Sequence, residues 1–174
     1  MKTILFLSLS LLLHPFNYKK VCVTDVTLPS VNKHLAKPKR VPNSTINFIK
    51  LIKSVDSTIN FKKGKNVNKE DFYYASHPFK SIFQLYCKGD HLKMAKWIII
   101  LDSKDIGNKE RVATSEKYLQ EIAGSDISKW AKTCIDGLLA APNIDKEFKT
   151  IQLEQVFKLS YNAHSRGLSI DVYP

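Results

Sequence analysis

The chain has 174 residues, 44% of them hydrophobic and 25% charged, which is enough for one domain of ordinary size and excludes a collagen-like or wholly disordered polymer. Its formal charge is +11, yet from Ser81 onward basic and acidic residues nearly balance, so the excess sits in the N-terminal half. Cys22, Cys87 and Cys134 show no Cys-x-x-Cys spacing, which excludes a cysteine-rich zinc site and a dense disulfide framework.

In chain order, Met1-Lys2-Thr3 precedes ten uncharged residues ending at Leu13, a pattern of signal-peptide length that is too short to span a bilayer. Residues 1–17 are therefore expected to be a signal peptide or apolar N-terminal segment, and the protein to be secreted rather than transmembrane. An uncleaved anchor and a cytoplasmic protein are the alternatives. Residues 18–42, with Pro29, Pro38 and Pro42, suit a basic extended linker. Asn43-Ser44-Thr45 is a glycosylation sequon, relevant to a secretory lumen.

A domain over residues 43–167 is expected to be all-α. Asn43 can cap a helix carrying Phe48, Ile49, Leu51, Ile52 and Val55, and ending near Asp56. Pro78 can start a second, whose Phe79, Ile82, Phe83, Tyr86 and Cys87 follow one-face spacing, with Gly89-Asp90 as its break. Leu92 to Leu101 is apolar nearly all round and reads as a central helix, although Ile98-Ile99-Ile100 also fits a buried strand. Thr114 or Ser115 can cap a further helix ending at Gly124. Asp126 then caps the most regular one, with Ile127, Trp130, Ala131, Cys134, Ile135 and Leu138 on one face. Asp145 to Asn162 is expected as the last helix, and 168–174 as a C-terminal tail that forms a short strand or stays loose.

Segment Phe83 to Ile99, with Phe83, Cys87, His91-Leu92 and Ala95-Lys96-Trp97, resembles the two-helix core of a divergent ankyrin repeat. That resemblance implies stacked antiparallel helix pairs, with a generic helical bundle as the alternative. Tyr86 departs from it, standing where the family has a small alanine.

Chemistry is sparse. Cys87 and His91 share a face only on an unbroken helix. His164-Ser165 near Asp171 lacks a nucleophile turn, and no phosphate-binding glycine loop or His-Glu-x-x-His occurs. Neither an enzyme nor a cofactor is expected. Cys87 and Cys134 are a candidate disulfide, or else buried small apolar groups. Between Lys33 and Lys69 lie ten basic residues and one acidic one, which makes Lys37, Lys39, Arg40, Lys50, Lys53, Lys62, Lys63 and Lys65 a candidate anion-binding set. Only three of the 27 basic residues are arginines, so specific nucleic-acid recognition is not expected. The expected function is a secreted, non-enzymatic, effector-like domain that binds another protein. The alternative is a basic secreted protein that binds glycan, lipid headgroups or nucleic acid through residues 33–69.

Overall fold

In the computed structural model, residues 38–77, 81–102 and 107–174 are described. The signal-like segment, Cys22 and Lys37 lie outside them. Helix α1 (Thr45–Val55) leads into four strands, β1 (Lys62–Lys63), β2 (Asp71–His77), β3 (Ser81–Lys88) and β4 (His91–Ile100). Helices α2 (Asn108–Ala123) and α3 (Ser125–Leu139) follow, then β5 (Lys146–Gln152), β6 (Gln155–Asn162) and β7 (Gly167–Tyr173). The strands form one antiparallel sheet in the order β1-β2-β3-β4-β7-β6-β5.

This sheet overturns the all-α expectation and the ankyrin resemblance. Residues 83–99, taken as a helix pair, are the β3–β4 hairpin. Phe83, Leu85 and Cys87 alternate with exposed or half-buried neighbours, and Ala95, Trp97 and Ile99 do the same on β4. The period is two, that of a half-buried strand. Helical spacing and alternation share members here, because Ile82 and Tyr86 are also large. What separates the two is Gly89-Asp90: Lys88 pairs with His91, so the loop has two residues, and Gly89 takes φ +60° at its first position. A two-residue loop opening on a left-handed glycine joins strands rather than ending a helix.

The expected last helix is likewise a hairpin, β5–β6, in which Phe157, Leu159 and Tyr161 alternate into the core. Residues 168–174, expected as a tail, form β7, which lies between β4 and β6 inside the sheet. Three helices occur where periodicity places them, with other starts. Ser44 rather than Asn43 caps α1, and α2 begins at Asn108 rather than after Thr114. Helix α3 begins at Ser125 after Gly124, so Asp126 lies inside it rather than capping it, and ends at Leu139.

All three helices lie against the same sheet face. Phe83 stacks on Trp97 with ring centroids 4.8 Å apart, and Tyr118 of α2 meets both rings edge-on. Such offset and edge arrangements add to burial. Phe48 and Ile52 from α1, Ile127 and Ile135 from α3, and Leu85, Phe157, Leu159 and Ile170 from the sheet complete one continuous core. Among the described residues no helix covers the opposite face.

Residues 38–42, expected as linker, are docked onto the domain. The Gln155 side chain, itself 2% exposed, accepts from the Val41 amide at 2.7 Å and donates to the Val41 carbonyl at 2.8 Å. One side chain thus satisfies both backbone groups of Val41, which buried strand-like backbone requires. Gln152 donates to the Lys39 carbonyl beside it.

Candidate interaction surface

The basic residues singled out from composition separate into two groups. Lys39 pairs with Glu121 at 3.2 Å, Arg40 with Glu154 at 3.3 Å, and Lys63 with Asp71 at 2.9 Å. The Lys63 pair lifts the lysine pKa and lowers that of Asp71, in each case chiefly through their mutual hydrogen bond. Lys50 and Lys53 lie exposed on α1, Lys62 on β1 and Lys65 just beyond it, with no ion pair among the described residues. The described basic residues of segment 33–69 are therefore not one continuous free surface.

Cys87 and Cys134 are both free thiols buried in the core, on β3 and α3. Burial raises both pKa values, that of Cys134 to about 11. Asn43 is exposed and its carbonyl accepts from the Leu92 amide at 2.7 Å, while Thr45 of the same sequon is 4% exposed. Cys87 points into the core and His91 is exposed, so the thiol–imidazole pair considered from sequence does not form. Ser165 donates to Asn162 in the β6–β7 turn, whereas Asp171 accepts from Ser169 on the sheet, which leaves His164, Ser165 and Asp171 unassembled. No cluster of three or more metal-ligating side chains occurs among the described residues.

The feature that sequence inspection missed is the helix-free face of the sheet. Strand pairing arranges its side chains in rows that run across the sheet. One row is apolar, with Phe72 opposite Tyr86, Tyr86 opposite Met94, and Tyr173 opposite Val156. Ile151, opposite Val156 on β5, continues it to the far edge. Phe72 packs on Tyr86 at 5.2 Å and stacks on Tyr74 at 5.9 Å.

The next row is a ladder of charge. Gln84 pairs with Lys96, Lys96 with Asp171, and Asp171 with Lys158. Lys96 reaches Asp171 at 3.5 Å and Lys158 reaches Glu147 at 2.8 Å. Asp171 is only 4% exposed although no described helix covers this face, and it is held by Lys96 and by the Ser169 hydroxyl. Burial and the Asp171 carboxylate together raise the Tyr86 pKa. Burial works against the charge of Lys158, but the Glu147 hydrogen bond and the nearby carboxylates outweigh it, and its pKa rises. The third row holds Ser76, Ile82, Ile98, Ser169 and Ser160.

At the β1 end of the sheet an open concavity of about 300 Å³ is lined by Thr58, Asn60, Lys62, Tyr74, Ala75 and Ser76. It lies beside Tyr74, where the two-residue pairing of β1 with β2 begins. No described helix is long and apolar enough to cross a membrane. No family model, no curated protein and no solved structure matches this chain.

Proposed function

We propose that the protein is an exported protein-binding module whose contact surface is the helix-free face of the sheet. The observation that carries this is the distribution of exposed large apolar side chains. Of nine among the described residues, Tyr74, Ile82, Ile100, Ile151 and Tyr173 all lie on that face. Apolar groups scattered singly are ordinary, whereas here more than half of them share one face and Tyr173, Val156 and Ile151 sit side by side in its apolar row, the kind of patch that marks an association site. The charge ladder beside them supplies orientation, since like charges brought together across an interface are costly.

A photoreactive amino acid placed at Ile82, compared with one at exposed Thr133 on α3, tests this in the expressing cell. The Ile82 position is expected to give a polypeptide adduct and the Thr133 position none. Equal yields at both, or none at either, would refute the surface. Export rests on the opening residues, and recovery of the intact chain from cytosol alone would refute it.

A second mode, contact with an anionic surface, is favoured only by Lys50, Lys53, Lys62 and Lys65, which carry no ion pair among the described residues. Affinity for anionic vesicles that persisted at high ionic strength would exclude it.

A further inference from the structure

Resting on that surface, we infer that the occupant of the helix-free face is the same face of a second copy of this chain, related by a two-fold axis running along the β4–β7 seam. The seam divides the six long strands evenly, with β3 and β2 outside β4 and β6 and β5 outside β7. A two-fold axis parallel to the strands and lying between the two faces keeps each row over itself and exchanges the halves of the sheet. β4 then covers the partner's β7, β3 its β6, and β2 its β5.

The rows make this arrangement self-complementary. In the charged row Lys96 lies over the other copy's Asp171, Lys158 over its Gln84, and Lys149, opposite Lys158 on β5, over its Tyr74. No cation faces a cation, and the covered Asp171 acts through its charge rather than by a new contact. In the apolar row Met94 meets Tyr173, Tyr86 meets Val156, and Phe72 meets Ile151. The other two-fold in the plane of the face, perpendicular to the strands along the charged row, would stack Lys96 on Lys96 and Asp171 on Asp171. Charge therefore selects the axis parallel to the strands. Aligned sheet packing crosses the strands at about 30°, so the match is tightest at the seam, where the charges are.

The available area is modest. Six strands about 4.8 Å apart, over three rows and their margins, give a footprint of roughly 500 Å² per copy. The total of about 1,000 Å² lies just below the range of stable specific interfaces, about 1,200–2,000 Å², and suits a weak, reversible dimer.

The full chain, as recovered from the expressing cell, is examined by sedimentation velocity across a concentration series. A shift from monomer to twice the monomer mass is expected, and the Ile82 adduct should have that mass. Ile151→Lys, at a side chain 62% exposed, should weaken the dimer at least tenfold while leaving the monomer's melting unchanged. The double exchange of Lys96→Asp with Asp171→Lys retains the pair within the chain and should dimerise with itself. Mixed with the parent it should not form heterodimers, because each seam contact then joins like charges. Heterodimers forming as readily as either homodimer would overturn the proposed axis. A chain monomeric at every concentration, with an Ile82 adduct to a different polypeptide, would overturn the second copy and leave the surface standing. Monomer with no adduct would overturn both.

Discussion

Asp90 does more than its place in a turn requires. Its carboxylate accepts from the Ile46 amide at 3.0 Å and the Ser44 hydroxyl at 2.7 Å, and its carbonyl accepts from the Thr45 amide. The β3–β4 turn thereby caps the first turn of α1 from outside the helix, where free amides and the helix dipole favour an anion. The Ile46 amide first, and then Ser44, hold the Asp90 pKa below its usual value. A depressed folded-state pKa contributes stability that is complete above the unfolded value and is lost as pH falls through the folded one. Asp90→Asn keeps an acceptor and removes the charge. The stability difference between parent and variant should be present at neutral pH and shrink below the carboxylate range in urea titrations run at several pH values. A difference independent of pH would show that the charge contributes nothing.

The β5–β6 loop is the residue-scale opposite, chemistry poorly suited to its place. Leu153 and Glu154 take φ +50° and +66° between paired Gln152 and Gln155. A two-residue loop with both centres left-handed favours Asn-Gly, and an ordinary side chain there costs about 1–2 kcal/mol. No sequence signal announced this turn for that reason. Arg40 donates to the Leu153 carbonyl at 3.0 Å and pairs with Glu154, so the docked N-terminal arm braces the unfavourable backbone. Replacing Leu153→Asn together with Glu154→Gly should raise unfolding stability by about 1 kcal/mol, since the exposed Arg40 pair that is lost contributes little. Chemical denaturation measures it, and a loss of stability would mean that the arm depends on Glu154 more than on the backbone.

At the scale of elements, α1 and α3 were legible because their apolar residues fit only one period. The strands were not, because their outward residues are also large and apolar: Ile82, Tyr86, Met94, Ile98 and Ile151 blur alternation into apparent helical spacing. The same residues form the candidate surface, so the property that hid the strands is the one that marks their face. Gly89-Asp90 and the β-branched run Ile98-Ile99-Ile100 were the signals available for the hairpin. The thiols offer an element-level check. Cys87 on β3 and Cys134 on α3 are buried, and burial disfavours both thiolates. Both should resist iodoacetamide in the native protein at mildly alkaline pH and react once it is unfolded, with mass spectrometry assigning the sites. Rapid native labelling of either would place that strand or helix wrongly.

Across the whole molecule, the N-terminal strands β1–β4 and the C-terminal strands β5–β7 are each a local meander. They become one sheet only through β4 pairing with β7, from Ala95 with Val172 to Ile100 with Gly167. Nothing local in the sequence specifies that join. It follows from the need of each meander to cover an apolar edge and of α2 and α3 to span both. Residues 167–173 therefore hold the fold together. Leu168, Ile170 and Val172 are each at most 4% exposed, and truncating buried side chains of this size costs about 2–5 kcal/mol apiece. Three together reach the whole stability of an ordinary domain, about 5–15 kcal/mol. Ending the chain after Ser165 should consequently abolish cooperative unfolding and leave amides of both meanders unprotected in hydrogen exchange. Removing Pro174 alone, beyond the last strand, should leave both intact. If the shortened chain kept protected amides in β2–β4 and a cooperative transition, the two meanders would be independent units and the β4–β7 seam would be a docking contact rather than the structural centre of the protein.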